Sequence, residues 1–186
     1  MTGFRRAFYK IVAFLFCFVG LHQSGISQAF FDSCLVEQVT DSLFPGQNEA
    51  KILAISVYVS GSASDSIKLK NFSFNTSGTS HPSKIKSAHL HYQRRNKALN
   101  QPLNSKNLIS STNSPFGNFL FTDSIYIKSG LHYFILSFNI SAAADTLNRF
   151  DAELSSISAN GASFSPKTKS APGHRAVAIV GDSIYC

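Results

Sequence analysis

Apolar residues recur at every second position along most of this chain, the period of a strand with one face buried. Leu53, Ile55, Val57 and Val59 alternate with Ala54, Ser56, Tyr58 and Ser60. Phe134, Leu136, Phe138 and Ile140 repeat the pattern after Ser129-Gly130, and they predict a central strand with these four side chains turned inward. Ala88, Leu90 and Tyr92 form a third set, and Phe119 and Phe121 lead to Ile125 and Ile127 across Thr122-Asp123-Ser124. Phe150, Ala152 and Leu154, then Val177 and Ile179, complete the series. Between Ile67-x-Leu69 and Phe72-x-Phe74 the phase slips by one residue at Asn71, which predicts a β-bulge.

Turn-forming clusters separate these runs: Ser60-Gly61-Ser62, Asn75 to Pro82, Asn96 to Asn118, Asn160-Gly161 and Ala171-Pro172-Gly173. No convincing 3.6-residue stripe is present. The expected fold is all-β, an antiparallel β-sandwich of immunoglobulin-like or jelly-roll-like type with about seven to nine strands and little helix. Ser141 to Asn148 is expected to form at most one helical turn, and the Asn- and Ser-rich stretch from Lys97 to Asn118 a mobile loop.

The N-terminus has a different pattern. Arg5, Arg6 and Lys10 precede an unbroken apolar run from Ile11 to Leu21, and Ser27-Gln28-Ala29 then offers small residues to a signal peptidase. Eleven apolar residues are too few to cross about 30 Å of hydrocarbon. Residues 1–29 are therefore expected to be a cleaved signal peptide. Residues 30–48 follow as an N-terminal segment, 49–180 as the sandwich and 181–186 as a C-terminal tail. An exported protein, extracellular or in the envelope of a Gram-negative bacterium, is the expected setting, with no membrane span left after cleavage.

Cleavage also changes the charge. It removes three of the 17 basic residues and none of the ten acidic ones, so a formal +7 falls to +4. The remaining basic residues are scattered, with Arg94-Arg95 adjacent before a loop, and no basic stripe interleaved with aromatics suggests nucleic acid. Two cysteines remain, Cys34 and Cys186, near opposite ends of the chain. In an oxidising compartment they could pair, worth ~4–5 kcal/mol on the loop-entropy model; two free or intermolecular thiols are the alternative.

The order of residues then becomes informative. Thr76-Ser77-Gly78-Thr79-Ser80, Ile85-Lys86-Ser87-Ala88 and Leu90-His91-Tyr92 are followed by Ser129 to Ile140, Asn148, Asp151-Ala152-Glu153 and Pro172-Gly173-His174-Arg175. Together they resemble the N-terminal domain of BNR-repeat neuraminidases (sialidases), over roughly Glu49 to Ile179. Ile135 stands where that family tends to have Trp, and Gln93-Arg94 replaces a Thr-Gly turn. The resemblance implies a β-sandwich accessory module, not a sialidase. The catalytic part of such enzymes is a separate propeller with Asp-box repeats, and this chain has neither a Trp nor a Ser-x-Asp-x-Gly-x-x-Trp repeat.

Candidate chemistry is sparse. His89 and His91 share one strand face and could supply two zinc ligands, but no third ligand is visible nearby in sequence, so they read as histidines on a wet face and no metal or cofactor is assigned. No serine lies in a Gly-x-Ser-x-Gly elbow. Asp151 and Glu153 read as solvated or turn-capping carboxylates, and no catalytic residue is assigned. One pattern exceeds what composition gives: five of the seven aspartates sit in Asp, hydroxyl, aliphatic triplets, with hydroxyls at Ser42, Ser66, Ser124, Thr146 and Ser183. The triplet resembles an O-glycosylation sequon of some Gram-negative bacteria, and it is also ordinary turn chemistry. Asn-x-Ser/Thr triplets at Asn71, Asn75 and Asn139 are discounted, two of them lying inside strand patterns.

The functional expectation is an exported, non-catalytic module that contacts glycans or cell-surface proteins. The alternatives are a purely structural surface protein and a small secreted hydrolase.

Overall fold

The computed structural model describes residues 28–94, 102–168 and 173–178. Among them the strands in chain order are β1 (Phe30–Gln38), β2 (Ala50–Ser60), β3 (Ser66–Asn75), β4 (Ile85–Gln93), β5 (Leu108–Asn113) and β6 (Asn118–Phe121). They continue with β7 (Ile125–Lys128), β8 (Gly130–Ile140), β9 (Arg149–Phe150), β10 (Glu153–Ala159), β11 (Ala162–Phe164) and β12 (Arg175–Ala176).

The clearest alternating run becomes the centre of the first sheet, whose order is β1-β2-β8-β4-β5 with every pair antiparallel. Phe134, Leu136, Phe138 and Ile140 are all fully buried, as the pattern predicts. The second sheet runs β11-β10-β3, and the far edge of β3 is shared end to end by β6, along Phe72–Asn75, and β7, along Ser66–Leu69. The inward faces of both sheets form one core, with the Phe72 and Phe134 rings 5.1 Å apart across it. The fold is an all-β antiparallel sandwich, and its extra strands beyond about nine are short ones.

The bulge is where the phase slip places it. Asn71 has φ +54°, and between Ser158↔Lys70 and Ser156↔Ser73 β3 advances one residue more than β10. The extra residue lets Ile67, Leu69, Phe72 and Phe74 all face the core.

Three expectations change. Residues 30–48, expected to precede the sandwich, contribute its edge strand β1. Within the stretch expected to be a mobile loop, Leu108–Asn113 forms β5, because the free edge of β4 offers backbone partners whatever the side chains are. Ser141 to Asn148 forms turns rather than a helical turn, and the described 3₁₀ turns are Pro82–Lys84 and Ser105–Asn107. Residues 1–27 of the expected signal, residues 95–101 and 169–172 and the tail beyond 178 lie outside the described residues, whereas Ala29, at the end of the expected signal, packs into the core. No helix among the described residues is long and apolar enough to cross a membrane.

A buried arginine closes the C-terminal end. Arg175 donates from Nε to the Asp41 carbonyl (2.7 Å), from Nη1 to that of Lys51 (2.8 Å) and from Nη2 to that of Ser42 (2.8 Å). Beside it, Leu43 and Val177 form a parallel bridge. Two carbonyls of the β1–β2 connection and one at the start of β2 thus share one guanidinium.

Candidate functional site

Two places concentrate chemistry. The first is an open groove of about 590 Å³ where the ends of β4, β7 and β8 meet. Tyr126, Leu131, Arg94 and Lys128 line it, with Tyr92 and His132 at its wall. Tyr126 is 68% exposed, and Lys68 Nζ lies 5.7 Å from its ring centroid, covering one face. Among the described residues no Asp or Glu lines this groove. It combines an aromatic surface, two cations and polar backbone, a set that suits sugar rings and anionic groups.

The wall of the groove is fixed by a hydrogen-bond pair. His132 Nε2–H donates to the Lys128 carbonyl (2.8 Å), so Nδ1 is the acceptor for the Tyr92 hydroxyl (2.8 Å). Burial, and then Arg94, lower the His132 pKa, while the Lys128 carbonyl opposes them. Burial raises that of Tyr92. With both nitrogens engaged, His132 has no lone pair with which to activate Ser129 beside it.

The second place is the outer face of the first sheet. In β4, Ala88, Leu90 and Tyr92 turn to the core, so Ser87, His89 and His91 face outward. Register puts them opposite Asn139, Ser137 and Ile135 of β8. Glu49, which has φ +50° just ahead of β2, donates its backbone N–H to Asn139 Oδ1 (2.7 Å) and brings its carboxylate over this face. Ligand atoms of Glu49, His89 and His91 all lie within 4.8 Å of one another. His89 is half-buried, but His91 is completely buried, contrary to the expected wet face, because the segment at Asn104 lies near it. Burial pushes the His91 pKa down, with His89 adding to the effect, while Glu49 and the Asn104 backbone oppose it.

This face also holds one of two close Ser–His pairs among the described residues; the other is the exposed pair Ser80 Oγ and His81 Nδ1 (3.0 Å). Ser87 Oγ lies 3.0 Å from His89 Nε2 and accepts from Asn139 Nδ2 (2.9 Å). Ser87 is 8% exposed and sits within a strand, not on a turn that presents it to substrate.

The remaining candidates are placed as follows. The Asp151 carboxylate is wedged against Gly78 and accepts from the Ala152 N–H (2.7 Å). Its pKa is raised chiefly by burial, with a smaller push from Glu153, while Ala152 and His174 oppose it. Ser42, Ser66, Ser124 and Thr146 are all exposed, and Ser183 lies outside the described residues. Asp145 serves its turn, its Oδ1 accepting from the Leu147 N–H (3.0 Å) and Asn148 Nδ2 (2.6 Å), whereas Asp123 Oδ2 accepts from the more distant Ser110 (2.5 Å). Cys34 packs into the core as a free thiol, and burial pushes its pKa up to about 12, which makes it unreactive. Its suggested partner Cys186 lies outside the described residues.

No protein-family model matches this chain, and no curated protein does. Among solved structures the fold is similar to one described as Hadza microbial sialidase Hz136, with a TM-score of 0.62 and 11% identity. The match covers 76% of this chain and 30% of that one, so this chain spans less than a third of the sialidase it matches. At this identity the likeness concerns the fold.

Proposed function

We propose that this protein is an exported, non-catalytic β-sandwich module that binds glycans through the groove at Tyr126, Arg94 and Lys128. The observation that carries the reading is the groove itself: an exposed aromatic ring beside two cations, with no carboxylate among its described lining residues that could serve as general acid or nucleophile. Fold similarity to part of a microbial sialidase supports a carbohydrate setting. Aromatic stacking would hold a sugar ring, and Arg94 and Lys128 would favour glycans carrying carboxylate or sulfate.

A glycan array probed with purified protein and with Tyr126→Ala tests this. Retention of a set of acidic glycans by the wild type, lost in the variant, is expected. Retention of none, or retention unaffected by the substitution, overturns the groove as the site. The same protein is expected to give no turnover of sialosides, aryl-glycosides or esters. Sustained turnover abolished by His89→Ala or by a single carboxylate change would replace the module reading with a hydrolase. For export, N-terminal sequencing of protein recovered from the medium or envelope is expected to begin at Phe30, and retention of Met1 would end that part of the reading.

A further inference from the structure

The outer face of the first sheet carries an arrangement that glycan binding in the groove does not use. His91 is completely buried, yet among the described residues neither Nδ1 nor Nε2 makes a hydrogen bond of good geometry, although the Asn104 backbone lies near the ring. Ser137, opposite His89 on β8 and itself fully buried, likewise has an unpartnered Oγ. Buried polar atoms are normally satisfied, and three unsatisfied ones gathered on one patch call for something that satisfies them. Glu49 Oε1 lies 3.9 Å from His91 Nε2, too far for a hydrogen bond but within reach of an ion bound between them.

We propose that Glu49, His89 and His91 form a binding site for a divalent transition-metal ion, of which Zn²⁺ is the expected occupant. Two imidazoles and one carboxylate are a ligand set that zinc takes with a fourth position left for water or a ligand oxygen. Tetrahedral zinc at about 2.0–2.1 Å from each ligand sets neighbouring ligand atoms about 3.3–3.5 Å apart. The present atoms, within 4.8 Å, reach that spacing by side-chain rotation of the half-buried Glu49 and His89 about the fixed ring of His91. The backbone is already arranged for it. Strand alternation aligns the two histidines, and the Asn139 amide both holds the Glu49 N–H and donates to Ser87, which contacts His89. That is the outer support that orients metal ligands.

The test uses the full chain, without a polyhistidine tag and stripped with chelator, titrated with Zn²⁺ by calorimetry and with Co²⁺ by visible absorption. One equivalent of Zn²⁺ is expected to bind, with a rise in thermal midpoint of several degrees at saturation, and Co²⁺ should develop d–d bands of a low-coordinate site. His89→Gln and Glu49→Gln alter half-buried side chains, and circular dichroism of the metal-free variants checks that they fold. Each is expected to weaken Zn²⁺ affinity by about 100-fold or more, at least the loss that outer partners alone produce. His174→Ala, on the exposed His174 outside the cluster, should leave affinity unchanged. Absence of saturable one-to-one binding, or affinity that survives both Gln variants, or affinity lost in His174→Ala, overturns the site. None of these outcomes depends on glycan binding.

Discussion

The Asp151 carboxylate occupies the space that a β-carbon on Gly78 would need: Oδ2 lies 2.1 Å from that position, and the Asp151 γ- and β-carbons lie 2.7 and 2.8 Å away. Thr79 completes the joint. Its hydroxyl donates to the Asp151 carbonyl (2.7 Å) and accepts from the Asp151 N–H (3.0 Å). The contact ties the β3–β4 connection to the start of β10. Gly78→Ala is therefore expected to destabilise by ~1–3 kcal/mol, as overpacking does. Chemical denaturation would measure it, and an unchanged midpoint would show that the carboxylate swings aside freely.

Arg175 joins three carbonyls that are far from it in sequence. Arg175→Met keeps the stem and leaves Asp41, Ser42 and Lys51 without this donor. A loss of about 3 kcal/mol or more is expected from several stranded acceptors at once. Arg175→Lys should rescue little, since one ammonium cannot reproduce the planar fork. Equal stability of Lys and Arg forms would show that charge alone matters there.

Phe138 is fully buried at the centre of the first sheet, paired with Ala50 on one side and Ala88 on the other. Small partners leave the ring to fill the space above them. Phe138→Ala should cost ~3–5 kcal/mol as a core truncation. Thermal unfolding that matches the wild type would contradict the inward register.

His132 gives stability a definite pH dependence. Its pKa in the folded protein is below the ordinary 6.5, chiefly through burial, so its neutral form is the one the fold favours. The stability linked to it is full above about pH 6.5 and is lost as pH falls through the lower folded-state value. Protonation also converts Nδ1 to a donor, against the Tyr92 hydroxyl that donates to it. Comparing unfolding midpoints at neutral and mildly acid pH in wild type and His132→Gln isolates this part. The wild type should lose more on acidification. Equal slopes would remove His132 from the account.

The sandwich was legible where a strand had one wet face, because burial of alternate residues imposes the period directly, as in β3 with its Asn71 slip; in β8 the period of Phe134 to Ile140 was legible although Ile135 and Ser137 on the other face are buried too. Strand β5 was not, since Ser110, Ser111 and Thr112 sit on an edge where backbone pairing, not side-chain burial, holds the strand. The pair His89 and His91 was visible as ligands in search of a third. Glu49 stayed hidden because it is 40 residues earlier in the chain and reaches them only through the β2–β8–β4 register. A polar Ser137 between Leu136 and Phe138 was the available hint. The groove draws on three strand ends, and no local pattern announces such a convergence.

The divided edge along β3 has a consequence for how other molecules can attach. An approaching extended chain meets four residues of β6, then a break at Thr122–Ser124, then four of β7. The opposite edge of that sheet, β11, offers three residues, and β1 on the other sheet is kinked by the register shift between Phe31 and Ser33. None of these three presents a long, straight ladder of free amides to copy. Strand addition at these three edges is thereby discouraged, whether by a second copy at high concentration or by a peptide ligand, which leaves the six-residue β5 as the edge open to pairing.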